Sequence, residues 1–469
     1  MKTDYSKLER AFNPRCVVVV GDKAESGYMW LHGQSDFKGK LYSVQVDPKE
    51  IEGIRALGVE NYTSLLDVPE QVDLAIVAVP RAVAPRILED CIGKDVAAAH
   101  FFTSGFAETD TEEGINLQRI LTERASQADF HFIGPNCMGI YSPAMGIRQT
   151  MMQRTGFTGT VGFISQSGTH AIAFSEEAYQ QGLDINKSVS FGNGIVLDST
   201  DYLEYFGRDD GIKAVGMYLE GVRDGRRFLD VLKKVASRKP VIIWKGGRTE
   251  EGGRAIASHT GSLSVPMAVW DAAIKQCGAV GVMGLQELVD ALKAIQYMSP
   301  VYGNRVGITG GSGGQSVAIA DVFAEAGLRV PTLTQESYDE LDTFFSLIGG
   351  GYRNPIDTGN VNRREMKRIM EILERDENID NLVLLTSVNP RMVGQIDQLI
   401  AMLTETRVRT PKPMAVIFAA FGAENAEMAR EVAQKLRDGG IPTFPSLERG
   451  ARAMKNALDY HFLQRNNGS

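Results

Sequence analysis

VGFISQSGTHAIAFSEEAYQQGL (residues 161–183) and VGITGGSGGQSVAIADVFAEAGL (306–328) align without a gap at a constant offset of 145 residues. Ser167 falls on Ser312, Gly168 on Gly313 and Gly182 on Gly327. Each copy reads as an apolar strand, a small polar turn and a helix that ends at glycine. The repetition predicts two domains of one fold, each presenting the same strand–turn–helix device. Such a device gathers free main-chain N–H groups at the positive end of a helix dipole, where an anion is stabilised. A tight βα turn alone also explains Gly and Ser there, and it is the doubling that favours phosphate. Neither copy continues into the GK[ST] of a Walker loop, and neither is a GxGxxG turn with an acidic ribose partner.

Short apolar runs alternate with helix-like stretches along the rest of the chain, the pattern of βαβ units on parallel sheets. CVVVVG (16–21), LYSVQVD (41–47), DLAIVAVP (73–80), AAAHFFTSGF (97–106) and FHFIGPN (130–136) form a Rossmann-like set. GTVGFISQSG, SVSFGNG (188–194), AVGMYLEG (214–221) and KPVIIWKGG (239–247) supply strands of a second block. NRVGITGGSGG, NLVLLTSVN (381–389), PMAVIFAAFG (413–422) and GIPTFPS (440–446) supply a third. The expected organisation is an α/β protein with domains at 1–148, 149–299 and 300–469.

The chain has 469 residues, 43% hydrophobic content and a formal net charge of −8. That charge argues against nucleic acid and acidic membrane surfaces as partners. The N-terminal MKTDYSKLERAFNPR lacks the apolar run of a signal peptide, and no apolar segment approaches the roughly 20 residues of a bilayer span. Four cysteines without a CxxC read as reduced thiols, so the expected setting is the cytoplasm.

One histidine stands apart. In RAIASHTGSL (254–263), His259 lies in what reads as a loop of small residues, without an apolar wall or a metal-ligand partner at short spacing. An accessible neutral imidazole is a nucleophile, and attack on phosphorus would generate charge that helix N-termini stabilise. Such a histidine needs an acceptor on its other nitrogen. Glu220, at the end of the strand in MYLEG, is the candidate in the same block, although an exposed loop carboxylate is the commoner fate of a glutamate. His32, His100, His131, His170 and His461 read as structural, and no metal site is expected.

Together these segments resemble the α subunit of ADP-forming (NDP-forming) acyl-CoA synthetases, in the succinyl-CoA synthetase superfamily. SHTGSL resembles the family's phosphohistidine loop, ISQSG its first phosphate-binding helix start, and YLEG the segment whose glutamate holds the histidine. GFAET (105–109) and GPNCMG (134–139) are similar to signatures of its CoA-binding domain, and NPIDTGN (354–360) to a segment of its last domain.

The resemblance implies a Rossmann-like CoA-binding domain followed by two flavodoxin-like domains of the succinyl-CoA synthetase type. It implies interconversion of a small carboxylic acid, CoA and ATP with acyl-CoA, ADP and phosphate, through an acyl phosphate and a phosphohistidine. His259 then carries the phosphoryl group and Glu220 orients it. Ser165, Gln166, Ser167 and Gly168, with Gly311, Ser312, Gly313 and Gly314, hold phosphate. CoA lies against Gly21, Asp22, Lys23, Val79, Pro80 and the turn from Thr103, Ser104 and Gly105 to Glu108, with Asn136 adjacent. No ATP-grasp pattern follows residue 300, so ATP/ADP and Mg2+ are assigned to a separate β chain in an α2β2 assembly.

Two departures matter. The first βα turn is GDKAESGYMW (21–30) where the family has GAS and further glycines, which puts Asp22 near a CoA phosphate unless its carboxylate turns away. HTGSL is followed by Ser264, Val265 and Pro266 instead of Ala-Gly. A CoA-binding regulatory module, an ATP-independent acyl-CoA transferase and an NAD(P) oxidoreductase are the competing readings, the last disfavoured by the missing GxGxxG.

Overall fold

The computed structural model describes residues 3–467 apart from 261–265, 312–314, 349, 360–361, 389–392 and 421–425. The chain divides into two compact units, Met1–Tyr179 with Leu183–Leu285, and Gln180–Gly182 with Gln286–Ser469.

In the first unit, β1 (Cys16–Val20), β2 (Lys40–Val44), β3 (Glu60–Tyr62), β4 (Leu74–Val77), β5 (Ala98–Phe101) and β6 (Phe132–Ile133) pair in the order β3-β2-β1-β4-β5-β6, all parallel. That is the doubly wound order whose chain reversal opens a crevice between β1 and β4 at their C-terminal ends. Five β-branched or small residues in a row make β1 a central strand buried on both faces. Val17 and Val19 enter one apolar cluster, while Cys16, Val18 and Val20 enter the cluster on the opposite face. Each buried valine contributes about 1.5–3 kcal/mol relative to exposure.

The same unit continues through β7 (Gly139–Tyr141), β8 (Val161–Ser165), β9 (Ile185–Ser190), β10 (Ala214–Leu219), β11 (Val241–Lys245) and β12 (Val280–Val282). They pair as β12-β11-β10-β8-β9-β7, with only β7 antiparallel in this sheet. Without the β7 edge this is the flavodoxin order, whose switch point lies between β8 and β10.

The second unit contains β13 (Val306–Gly311), β14 (Ile356–Asp357), β15 (Asn381–Val388), β16 (Met414–Ala420) and β17 (Thr443–Phe444), parallel in the order β14-β13-β15-β16-β17. Strands β8 and β13, which open the two repeated segments, therefore hold the same place in two sheets of one topology. Leu382, Leu384 and Val416 face one cluster of this unit, and Val306, Ile308, Val383 and Ile417 the other. No described helix is long and apolar enough to cross a membrane.

Candidate active site

Gly21 ends β1 with φ +84°, and its N–H donates to the Val44 carbonyl at 3.0 Å. A Cβ there would lie 2.6 Å from Val79 Cγ1 and 3.1 Å from the Ala78 carbonyl oxygen, so glycine is required on both conformational and steric grounds. Next to it, Asp22 is 1% exposed. Its Oδ1 accepts from Lys23 N–H at 3.0 Å and Ser26 O–H at 3.2 Å, and its Oδ2 from Leu31 N–H at 2.9 Å. Burial pushes its carboxyl pKa up, against the pull of these bonds. The carboxylate is thus turned into the protein, where it knots the segment from Lys23 to Leu31.

A cavity of about 410 Å3 opens at this switch point. Gly21, Asp22, Lys23, Val79, Pro80, Thr103 and Ser104 line it together. Thr103 O–H donates to the Val79 carbonyl at 2.7 Å, which ties the ends of β4 and β5. Gly105 lies just beyond the lining, its N–H donating to Glu108 Oε1 at 2.7 Å. Asn136, also outside the lining and at φ +57°, donates its N–H to the Thr103 carbonyl at 2.9 Å. Asn193 Nδ2 donates to Glu108 Oε2 at 2.7 Å, so the loop after β9 is bonded to the turn after β5.

Sequence reasoning missed Met29, Trp30, Arg81 and Phe102 in this lining. Trp30 packs edge-on against Phe102 at 5.2 Å. Arg81 follows Pro80 directly, and its position after a strand-end motif was the available signal. Its guanidinium donates to the Gly105 carbonyl at 2.9 Å and places positive charge at the rim.

At the second switch point, Ser165 ends β8 and is fully buried. Its hydroxyl donates to the Ser167 carbonyl at 2.6 Å and accepts from Ser167 N–H at 3.2 Å. The Gln166 N–H donates to the Tyr218 carbonyl at 3.0 Å, and Gln166 Oε1 accepts from Glu220 N–H at 2.9 Å and Gly221 N–H at 3.1 Å. Ser165 and Gln166 therefore shape the turn from within. Gly168 begins the 13-residue helix Gly168–Gln180, and its N–H is one of those the helix leaves without an internal partner.

Glu220 stands half-buried just past β10, across the switch point from this turn. Tyr218 O–H donates to its Oε1 at 3.2 Å, and Lys245 Nζ donates to its carbonyl at 2.8 Å. Lys245 is 4% exposed, and burial pushes its ammonium pKa down with the Glu220 charge opposing.

His259 falls in the last turn of the helix Glu250–Thr260 rather than in a loop. Ala255 and Ile256 favour helix, and Arg254 pairs with Glu250 at 2.9 Å one turn back. The side chain of His259 lies outside the described residues. That helix packs against the turn Ala107–Thr109 of the first sheet's domain, so the stretch bearing the histidine adjoins the turn that follows the first crevice. In the second unit, Gly311 ends β13, while Ser312, Gly313 and Gly314 lie outside the described residues. Among the described residues no group of three or more His, Cys, Asp or Glu side chains is placed to hold a metal ion.

Comparison with known proteins agrees with this geometry. Residues 15–143 match the CoA binding domain family and residues 158–295 the Succinyl-CoA ligase like flavodoxin domain. The chain is 34% identical to the acetate–CoA ligase [ADP-forming] II subunit alpha of Pyrococcus furiosus, over 95% of this chain and 96% of that one. It is also 34% identical to the acetate–CoA ligase [ADP-forming] I of Archaeoglobus fulgidus, but spans only 63% of that longer protein. The dinucleotide forming acetyl-coenzyme A synthetase 1 of Ca. Korarchaeum cryptofilum, solved in complex with phosphate and ADP, superposes with a TM-score of 0.83. The match covers 98% of this chain and 97% of that one at 29% identity. With both doubly wound switch points and the end-to-end likeness in place, the chain belongs to the ADP-forming acyl-CoA synthetases.

Proposed function

We propose that this chain is the CoA-binding, phosphohistidine-bearing subunit of an ADP-forming acid–thiol ligase. The observation that carries the proposal is the composition of the first unit. A crevice suited to CoA lies at strand ends of its first sheet. A phosphate-type turn, an anchored glutamate and the His259 helix lie at strand ends of its second, and that helix packs on the turn Ala107–Thr109. In the acyl-CoA-consuming direction, phosphate attacks the thioester carbonyl and CoA leaves as the thiol, forming an acyl phosphate. His259 then takes the phosphoryl group, releasing the carboxylate, and Glu220 holds the imidazole and balances the imidazolium charge. The Gly168 end of its helix offsets charge on the transferring phosphoryl oxygens.

The nucleotide step belongs to an ATP-grasp β chain, which supplies ATP/ADP and Mg2+ in an α2β2 cytoplasmic assembly. The likeness to a subunit alpha, and to a longer Archaeoglobus protein that extends beyond this chain, supports that division. The inward turn of Asp22 removes the main ground for reading the chain as a regulatory module that has lost catalysis.

The test is ADP release by the chain mixed with an ATP-grasp partner, across a panel of small carboxylic acids. ADP formation that requires acid and CoA together supports the reading. Exchange of CoA from an acyl-CoA to a second carboxylic acid, without ATP or phosphate, would replace it with an acyl-CoA transferase. The CoA crevice has its own test. Gly21→Ala strains the φ +84° backbone and pushes on Val79, and is expected to weaken CoA binding about ten-fold in calorimetric titration. An unchanged affinity would place CoA elsewhere.

A further inference from the structure

We propose that Tyr218 is a positioning residue for the reaction: its hydroxyl, packed in an aromatic cluster, fixes the Glu220 carboxylate through Oε1. The proposal rests on the reading above, in which Glu220 orients His259.

Tyr218 lies two residues before Glu220, so the alternation of a strand sends both side chains off the same face at the end of β10. The phenol is 7% exposed, and its O–H reaches Glu220 Oε1 at 3.2 Å. Its ring packs against two others. The His170 ring lies 4.3 Å away by centroids and the Trp244 ring 4.6 Å away, and these two rings meet each other at 4.5 Å. His170 is in the first turn of the phosphate-type helix and Trp244 is on β11, so the phenol belongs to a three-ring cluster built from the helix that follows β8 and from the neighbouring strand.

Room for the pair depends on Gly246. A Cβ there would lie 2.6 Å from Tyr218 Oη and 3.4 Å from Glu220 Cγ. Burial first, and then the Glu220 charge, push the phenol pKa up, so the hydroxyl remains a donor at working pH. The backbone is fixed as well. Gln166 accepts the N–H groups of Glu220 and Gly221, and Lys245 Nζ donates to the carbonyls of Glu220 and Gly246. Glutamate backbone and carboxylate are thus held by separate groups, and the Tyr218 hydroxyl acts on the carboxylate.

The experiment compares Tyr218→Phe with Tyr218→Leu in the full chain. It measures the rate of phosphoryl labelling from acyl-CoA and labelled phosphate, CoA affinity by titration, and the melting temperature. Phenylalanine keeps the ring packed against His170 and Trp244 and removes only the donor. The proposal expects it to slow labelling about ten-fold, the scale of a hydrogen bond to a charged group, with CoA affinity and melting temperature unchanged. Leucine removes ring and donor, and both labelling and melting temperature fall. Labelling by Tyr218→Phe at the wild-type rate, with loss only in Tyr218→Leu, would reduce Tyr218 to packing and overturn the proposal while leaving the phosphohistidine intact. A wild-type chain that binds CoA and takes no label would overturn the phosphohistidine reading, and the Tyr218 assignment with it.

Discussion

His259→Ala is expected to lower ATP-dependent CoA ligation by on the order of 10⁴-fold or more, the scale seen when a covalent nucleophile is removed. The size follows from the chemistry. A carboxylate is a poor electrophile and CoA cannot displace its oxygen without activation. In the proposed mechanism, the N–P bond lets the phosphoryl group pass between an acyl site on this chain and a nucleotide site on the proposed β chain. Without the imidazole no other group among the candidates takes the phosphoryl, because Glu220 is anchored and Ser165 is sealed inside its turn. CoA affinity should be unaffected, since the crevice between β1 and β4 is lined by other segments. Turnover in a mixture with the ATP-grasp partner, beside a CoA titration, checks both halves of this expectation.

Glu220→Gln is expected to cost about 10²–10³-fold in the rate of phosphoryl transfer. Glutamine matches glutamate in size, its main-chain N–H still reaches Gln166, its carbonyl still receives Lys245, and Tyr218 still has an oxygen to donate to. What disappears is the negative charge and the option of two acceptor oxygens. In the proposed mechanism the imidazole then loses the partner that fixes its tautomer and stabilises its protonated form during transfer. A near-normal melting temperature with a slow transfer step, read by quenched-flow labelling, separates this loss of charge from a loss of fold.

The repeat at an offset of 145 residues made the two flavodoxin-type sheets legible, because an identical register of strand, turn and helix leaves little freedom in how each block starts. Buried central strands were equally readable. β1, β4, β8, β10 and β11 are near-continuous apolar runs, as strands covered on both faces must be. Several edge strands were not, although β6 and β17 were read in FHFIGPN and GIPTFPS. β3 reads ENY, β7 reads GIY and β14 has two residues, too short and too polar for periodicity to mark them.

In the crevice, Gly21, Val79 and Thr103 were named through the family resemblance, and they fall at strand ends, where doubly wound sheets carry ligands. Trp30 and Phe102 were not named, since an aromatic residue near a strand reads as core until the crevice beside it is visible. Asp22 was named as a liability on the sequence, and the direction of its side chain depends on the N–H of Leu31, nine residues away. Tyr218 is the sharper case. It was not singled out within the strand AVGMYLEG, and only the pairing of β10 with β8 and β11 puts it against His170 and Trp244 with its hydroxyl on Glu220.

The most direct test of the central claim is phosphate labelling of the purified chain with Mg2+ and a panel of acyl-CoAs, with the modified residue mapped under alkaline conditions. An acid-labile label on His259 that appears with one class of acyl-CoA is the predicted result, and it names the acyl group as well. CoA binding with no label under any acyl-CoA, or a label that persists in His259→Ala, would contradict the account.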